Sequence, residues 1–446
     1  MKSSVEIIIR TTHSLCPKCS KKIPADIVEY NNAVYMKKTC PLHGNFKLLI
    51  SKHSWYYKQL TEFYFSVMPK NMKQSRFYIY LSNKCNLNCP ICLLEPNQEI
   101  IPDMSLKEIK SVIEKNKSSR FYLYGAEPTL RSDIHDWIKM LKKNGNIVNM
   151  HTNGIKLENF EFLQSLKDCG LDYVSIQFDG FNDTIYQKLR GRGLLDIKRK
   201  ALDNLKYLNI QTGLNVTIAR GINEDQIKPI LDFAIENPFI KDVSFATLSH
   251  LGDAQKNFSP EELIMPDELI DMVEQQMEGK ISRKNLFLFQ KFYYVLLSFL
   301  NVRRCYNFQH TALIRENGSF QTFDELFEFD KFEQNLDKYR STIKTNRLKA
   351  NIFFFLNLLT NIFSSHFLKK IRCLPLNMLL PRNIRNPKMP SKLLLVSFGT
   401  VCDPYKYDAQ ISRYCGQGFV IKDEKGVFLS DSISGLTLQN KHINNK

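Results

Sequence analysis

The sequence predicts an α/β protein: a partial (β/α)6 barrel between a small N-terminal metal-knuckle module and an α+β C-terminal extension. Three observations carry that expectation. Between about residues 71 and 255, short strand-like runs alternate with helix-periodic stretches, the pattern of parallel βα units. Ahead of them, Cys16-Pro17-Lys18-Cys19 and Cys40-Pro41-Leu42-His43-Gly44 form a C-x2-C and C-x2-H pair about twenty residues apart. Past Gly252 the alternation stops, and a long apolar stretch and two hairpin signals follow. The boundaries expected are therefore 1–70, 71–255 and 256–446.

Composition narrows the class. Apolar residues make up 43% of the chain and aromatics 12%, which is globular and not disordered. Eleven cysteines are an odd number, and at least six fall in tight C-x2-C or C-x3-C groups, which favours metal ligation over a disulfide framework and a reducing compartment. The start Met1-Lys2-Ser3-Ser4-Val5-Glu6 has no apolar stretch after a basic start, and no uncharged apolar run is long enough to span a bilayer, so a cytoplasmic location is expected.

The net charge of +17 is concentrated. No Asp or Glu lies between Asp337 and Asp403, while Lys338, Arg340, Lys344, Arg347, Lys349, Lys369, Lys370, Arg372, Arg382, Arg385, Lys388 and Lys392 are all basic. Apolar blocks such as Ile352 to Leu359 interrupt them. This suits an interfacial helix at an anionic membrane surface, on the inner face of the membrane, or a groove for an amphiphile. A core helix with a solvated basic rim explains it equally well. No nucleic-acid recognition motif accompanies the charge, so no nucleic-acid partner is expected.

In the first module, Cys16, Cys19, Cys40 and His43 supply three thiolates and one imidazole, a tetrahedral set for zinc or a single iron. The alternating run with Ile27, Val28, Val34 and Tyr35 between the knuckles predicts a hairpin that holds them together. Such a closed site is structural or electron-relaying.

The barrel strands are expected at Phe77 to Leu81, Phe121 to Tyr124, Ile147 to His151, Tyr173 to Phe178, Gly213 to Ala219 and Val243 to Leu248. Ligands in parallel α/β architectures sit at the carboxyl ends of strands. Directly after the first strand stand Cys85, Cys89 and Cys92, a C-x3-C-x2-C array. Three thiolates leave a [4Fe–4S] cubane one ligand short, which keeps one iron open for a substrate or cofactor. After the second strand, Gly125-Ala126-Glu127-Pro128-Thr129 brings backbone close to a ligand, with the Glu and Pro fixing the loop's exit. Thr152-Asn153-Gly154 follows the third strand. On the fourth, Ser175, Gln177 and Asp179 share one face; on the fifth, Asn215 shares parity with Thr217. The helix after the cysteine loop opens at the capping box Ser105-Leu106-Lys107-Glu108.

These motifs, in this order, resemble those of radical S-adenosylmethionine (SAM) enzymes. The resemblance implies that Cys85, Cys89 and Cys92 hold a [4Fe–4S] cluster whose open iron chelates SAM, which is cleaved reductively to a 5′-deoxyadenosyl radical. Ile91 stands where many members place an aromatic and would pack on adenine. Gly125, Ala126, Glu127 and Pro128 resemble the family's G-G-E-P loop, with Ala126 in place of the second glycine, a change tolerable at negative φ. Thr152 and Asn153 would lie near the ribose, Ser175 or Gln177 would point at the ribose or carboxylate, and Asn215 is a further SAM contact. A reductant such as ferredoxin or flavodoxin is implied.

The run Thr11 to Cys19, the second knuckle, the core motifs and the tail from Asp403 to Cys415 together resemble the branch of tetraether lipid synthases and archaeal pterin methylase-like proteins. The branch implies hydrogen abstraction from an unactivated carbon, with a lipid or isoprenoid chain as leading substrate and methylation of a heterocycle such as a pterin as the alternative. A non-catalytic iron–sulfur scaffold is the reading of another class. The branch's auxiliary clusters would need the remaining thiols, Cys305, Cys402 and Cys415 with Cys373, whose spacing carries no signature. Cys169 sits on a predicted helix as packing.

In the extension, Ser259-Pro260-Glu261-Glu262 predicts a helix start, Leu286 to Leu300 a buried helix, and Thr311 to Phe320 a hairpin with an Asn-Gly turn. A second hairpin is expected around Asp423 to Gly426.

Overall fold

The computed structural model describes residues 5–69, 74, 76–97, 103–326, 329–363, 391–415, 417–423 and 426–430. Cys373 and most of the basic stretch up to Ser391 lie outside them.

The N-terminal module is a four-stranded antiparallel sheet, β1 (Ile7–Leu15), β2 (Lys22–Tyr30), β3 (Ala33–Cys40) and β4 (Gly44–Ser51), paired in chain order. Ala25, Ile27, Val34 and Met36 alternate onto one face and form a small core with Ile9, Ile50 and Tyr57. The β2–β3 turn uses Asn31 and Asn32 at φ of 50° and 61°, positive values that Asn tolerates and a tight hairpin needs. Helix α1 (Ser54–Val67) then leads into the second sheet.

Strands β5 (Arg76–Tyr80), β6 (Arg120–Tyr124), β7 (Ile147–Thr152), β8 (Tyr173–Gln177), β9 (Gln211–Ile218) and β10 (Ile240–Thr247) lie parallel and in sequence order. These are the six expected strands. The last two begin earlier than the apolar pattern indicates, because Gln211, Thr212 and Asp242 join the ladder despite their polarity, with Lys241 at the register shift between Ile240 and Asp242. Helices between them bury one stripe each. In α2 (Leu106–Lys115) that stripe includes Ile109 and Ile113 behind the expected Ser105–Glu108 capping box, and in α3 (Ile134–Lys143) it is Ile134, Trp137, Ile138 and Leu141. Helix α4 (Phe160–Asp168) ends at Cys169, which packs on the main core.

Strands from beyond residue 255 complete the same sheet on both edges. β13 (Leu393–Thr400) adds parallel to β10, and β14 (Gln417–Asp423) adds parallel to β5. The antiparallel hairpin β11 (Phe308–Glu316) and β12 (Ser319–Thr322) extends one side, with Asn317 and Gly318 at positive φ in its turn. β15 (Gly426–Ser430) pairs with β14 on the other. Among the described residues the sheet has eleven strands.

The start at Ser259 differs from expectation. Pro260–Glu262 make one 3-10 turn, Leu263, Ile264 and Met265 run buried, and the helix α9 (Pro266–Gln276) begins only at the next proline. Burying three consecutive apolar residues against the barrel takes priority over continuing the turn. The long helix α10 (Arg283–Leu300) contains the expected apolar run and packs on α1 through the Tyr64–Tyr294 contact at 4.8 Å. Two more helices, α11 (Phe329–Ile343) and α12 (Arg347–Phe363), follow. No helix among the described residues is long and apolar enough to cross a membrane.

The N-terminal module is clamped to the rest by polar contacts. Asp267 accepts from Ser51 Oγ at 2.8 Å and His53 N at 3.1 Å. Arg10 pairs with Asp408 at 2.5 Å, and Lys38 Nζ donates to the carbonyls of Pro404 (2.7 Å) and Tyr405 (3.0 Å).

Candidate functional site

The two cysteine groups end in different geometries. In the module, the ligand atoms of Cys16, Cys19, Cys40 and His43 all lie within 4.8 Å of one another. His43 Nδ1 is 3.5 Å from the sulfurs of Cys16 and Cys40, and the sulfurs of Cys19 and Cys40 are 3.9 Å apart. Tetrahedral bonds of zinc length give sulfur–sulfur edges of about 3.8 Å and sulfur–nitrogen edges of about 3.6 Å, so the four groups fit one ion. Burial opposes ionisation of Cys40, but the Leu42 N–H and contacts from His43 and Cys16 outweigh it and bring the thiol down to about 6. A thiolate is therefore ready for a metal.

Cys85, Cys89 and Cys92 do not gather in this way. Among the described residues only the module's four form a group of three or more ligands at that spacing. A cubane presents a different iron to each thiolate, so wider spacing suits a cluster better than one ion. Burial pushes the Cys85 thiol up to about 11 and the Cys92 thiol up to about 12, against the N–H groups of Leu87 and Leu94. Three half-buried thiols, two of them held neutral until something cationic ionises them, are a donor set that fits a metal core.

The barrel shapes this loop. Leu81 N donates to Tyr124 O at 2.8 Å, extending the β5–β6 ladder by one residue. Asn97 closes the loop from its far end, accepting from Cys85 N at 2.9 Å. From across the barrel mouth, Ala254 N donates to Cys92 O and Asn257 Nδ2 to Pro90 O. Gly252, at φ +63°, passes so close that a Cβ would lie 2.6 Å from the Leu93 backbone. Ile91 is 4% exposed and packs with Ile185, Leu189, Leu248 and Met265. Its side chain anchors the loop to the rim.

The Gly125 loop zips onto the same segment. Ala126 N donates to Ser82 O and Glu127 N to Lys84 O, both at 3.0 Å. Gly125 has φ +146°, and a Cβ there would meet Ser82 O at 2.8 Å, so this approach requires glycine; Ala126 is not among the positive-φ residues. Pro128 starts a buried 3-10 turn. The Glu127 carboxylate is fully buried and takes four donors: Thr129 N (3.1 Å), Thr129 Oγ1 (2.6 Å), Thr152 Oγ1 (2.7 Å) and Asn153 N (2.7 Å). With its lone pairs so engaged, Glu127 ties the Gly125 loop to the Thr152 loop, while Asn153 Nδ2 reaches Asn86 Oδ1 at 2.7 Å and Cys85 Sγ at 3.9 Å.

A buried ionic chain runs beneath the loop. Asp179 has no exposed surface and accepts from Arg190 Nε (2.7 Å), Arg190 Nη2 (2.9 Å), Thr217 N (3.0 Å) and Gln177 Nε2. Arg190, which ends α5 (Asp183–Arg190), also lies near enough to the Cys89 thiol for the two to interact electrostatically. Lys198 Nζ donates to Gln177 Oε1 at 2.6 Å and to Asn153 O. Lys198 lies on α6 (Leu195–Tyr207) in the stripe with Ala201, Leu202 and Leu205, a position that would ordinarily be aliphatic. Burial lowers its ammonium to about 7, with Asp179 opposing and Arg190 assisting. Sequence reasoning did not find Arg190 or Lys198; the only available signal was a lysine in register with an apolar stripe. It also missed His151, buried at the level of Ser175 and 3.3 Å from Asn215 Nδ2.

The remaining thiols come from three elements, Cys305 before β11, Cys402 just past the carboxyl end of β13 and Cys415 before β14. Cys305 lies near enough to Cys402 for each to act on the other's ionisation, Asn307 Nδ2 donates to Cys402 Sγ at 2.8 Å, and Cys415 is near enough for its charge to act on Cys402 and Tyr64. The three are not drawn to single-ion spacing.

Comparison with known proteins agrees with this layout. Residues 79–234 match the Radical SAM superfamily, and residues 8–52 match the HMPTM N-terminal zinc ribbon domain. A 7,8-dihydro-6-hydroxymethylpterin dimethyltransferase of Methanocaldococcus jannaschii is 32% identical over 307 residues, 62% of this chain and 61% of that one. A GTP 3′,8-cyclase of Clostridium perfringens is 30% identical over 186 residues, 40% of this chain and 56% of that one. The chain thus spans about three-fifths of the length of these relatives. Among solved structures, Streptococcus suis SuiB bound to S-adenosylmethionine aligns with a TM-score of 0.39 at 19% identity, covering 48% of each chain.

Proposed function

We propose that this chain, a radical SAM superfamily member with a zinc ribbon at its N-terminus, cleaves SAM reductively at the Cys85–Cys89–Cys92 loop and uses the 5′-deoxyadenosyl radical to take hydrogen during methylation of a flat heterocycle of the pterin type, the methyl group itself coming from a separate one-carbon donor such as a second SAM molecule. One observation carries the reading: three half-buried thiols, set too widely for one ion, open beside the Ser82–Glu127 backbone seam at the carboxyl ends of parallel strands. When bound, the cluster and SAM supply an electron and a carbon radical able to take hydrogen from an unactivated carbon. The chain's own residues bind and orient. Glu127 fixes the two SAM-facing loops to each other, Asn153 and Arg190 reach the sulfurs of Cys85 and Cys89, and Lys198 holds the Gln177 amide in one orientation.

The heterocycle takes precedence over the lipid chain because the ribbon type and the Methanocaldococcus relative both support it. The test is anaerobic reconstitution, reduction with dithionite, and chromatography for 5′-deoxyadenosine with and without a dihydropterin acceptor. Release of the nucleoside above a Cys89→Ala control and methyl transfer to the pterin are expected. No nucleoside above the control would leave the scaffold reading in its place.

A lipid substrate retains one observation. On α12 the exposed residues Leu348, Ile352, Phe355 and Leu356 form an apolar stripe, with Lys344, Arg347 and Lys349 around its start. This supports peripheral contact with an anionic membrane. Co-sedimentation with anionic vesicles at low salt, lost at high salt, is the outcome that would favour it.

A further inference from the structure

Arg76 opens β5 and stands in direct register with Arg120, which opens β6, so these guanidinium groups leave from the amino ends of the strands. The cysteine loop leaves from the opposite end. Arg304, in the loop before β11, comes close enough to Arg76 for that guanidinium to disfavour its charge. Neither makes an ion pair among the described residues, and the Nε of each has no hydrogen-bond partner. The nearby acid, Asp242, is already bonded to the Tyr173 hydroxyl. His310 contributes another buried polar atom without a partner, Nδ1.

Two like charges in a dry interior are strongly unfavourable unless something anionic joins them. Arg76, Arg304, Tyr293 and His310 are each half-buried, so they border a space that stays accessible. The wall of that space is aromatic. Tyr78 and Tyr122 stack at 4.4 Å and 7°, Phe419 stacks on Tyr78 at 5.2 Å, and Arg76 lies 6.0 Å from the Tyr122 ring centre. Tyr293 lies beside Arg304 and packs 4.7 Å from His310.

We propose that Arg76 and Arg304 form an oxyanion subsite inside the barrel. It takes the phosphate or carboxylate end of a substrate whose flat part lies along the Tyr78–Tyr122 wall, so that the reacting carbon points toward the cysteine loop. Only that last direction rests on the radical SAM reading. A guanidinium fork matches an oxyanion with two parallel hydrogen bonds, and the orphaned Nε atoms are the donors left free for it.

The test measures equilibrium binding to the metal-loaded full chain under nitrogen, with guanosine 5′-monophosphate as a flat heteroaromatic phosphate, benzoate as a flat carboxylate, guanosine as the uncharged control, and inorganic phosphate as competitor. The monophosphate should bind at least about tenfold more tightly than guanosine, and phosphate should displace it. Arg76→Gln and Arg304→Gln should each weaken it about ten- to hundredfold without changing iron content, with Arg304→Lys recovering part of the loss. Tighter binding of benzoate than of the monophosphate would assign the subsite to carboxylates. Equal affinity for guanosine and both anions, or failure of phosphate to compete in the unaltered chain, would overturn the proposal without relying on any variant. So would loss of iron and sulfide in the arginine variants with nucleotide affinity unchanged, because the cations would then serve a metal core near Cys305. SAM cleavage is scored separately: phosphate-sensitive nucleotide binding with no 5′-deoxyadenosine would refute the radical reading and leave the subsite standing.

Discussion

The ribbon and the barrel mouth solve the problem of holding cysteines in opposite ways. In the ribbon, two tight turns of an antiparallel sheet bring four ligand atoms within 4.8 Å, and the Cys40 thiol is already drawn toward ionisation. At the barrel mouth the loop is held from outside, by Gly252, Ala254, Asn97 and Arg190, and two of its three thiols are pushed toward the neutral form. A saturated site leaves a metal nothing to do but hold the fold. A wide site with three ligands leaves a coordination position free. The same residue type thus serves architecture in one place and chemistry in the other, and ligand number and spacing decide which.

The largest expected effect separates the two by substitution. Cys89→Ala should reduce 5′-deoxyadenosine formation to the level of a no-enzyme control and lower iron and sulfide, while the ribbon keeps its metal. Cys19→Ser should do the reverse, releasing the ribbon metal and destabilising that module by several kcal/mol. Metal analysis and calorimetry read both, and loss of both metals from either variant would show that the two centres are not independent.

A smaller effect tests how firmly the ribbon is attached. Asp408→Asn leaves Arg10 without its counter-charge in a mostly buried setting, with an expected loss of about 3 kcal/mol in urea unfolding. Limited proteolysis should then cut within the module first. Unchanged cleavage would mean that the Asp267 and Lys38 contacts suffice.

The third test concerns pH. Lys198 titrates near 7 in the folded chain and near 10.5 when unfolded, so between those values the unfolded chain binds more protons and stability rises with pH. Below about 7 the full penalty of a buried ammonium is present. Lys198→Met removes that penalty and should flatten the rise in unfolding midpoint between pH 7 and pH 10. Parallel profiles for parent and variant would exclude Lys198 as the titrating group. At the small end, Glu6→Gln breaks two exposed pairs, with Lys37 and Lys47, and should not move the midpoint measurably.

Much of this layout was legible in advance for identifiable reasons. The knuckles and the cysteine loop are local: ligand spacing along the chain fixes which sulfurs share a turn. The six parallel strands follow from alternating apolar runs, and the capping box at Ser105 forms as expected. What stayed hidden is non-local. The sequence did not show that the Glu127 carboxylate is held by Thr129, Thr152 and Asn153, or that Ile91 packs into the rim beside Leu189 and Leu248. Lys198 showed only as a lysine in an apolar stripe, because its partners, Asn153 after β7 and Gln177 at the end of β8, are far away in sequence.

Taken alone, then, the chain's order of residues specified the spacing of the cysteine and histidine groups and the parallel core, because each depends on side chains a few positions apart or on a repeating period. Only the folded molecule decided that β13 and β14 flank the six parallel strands, that a lysine is buried in an aliphatic stripe with its ammonium lowered to about 7, and that the Nε atoms of Arg76 and Arg304 are left without a partner. Those outcomes depend on which desolvated groups end up facing one another, a property of three-dimensional packing that no local pattern encodes.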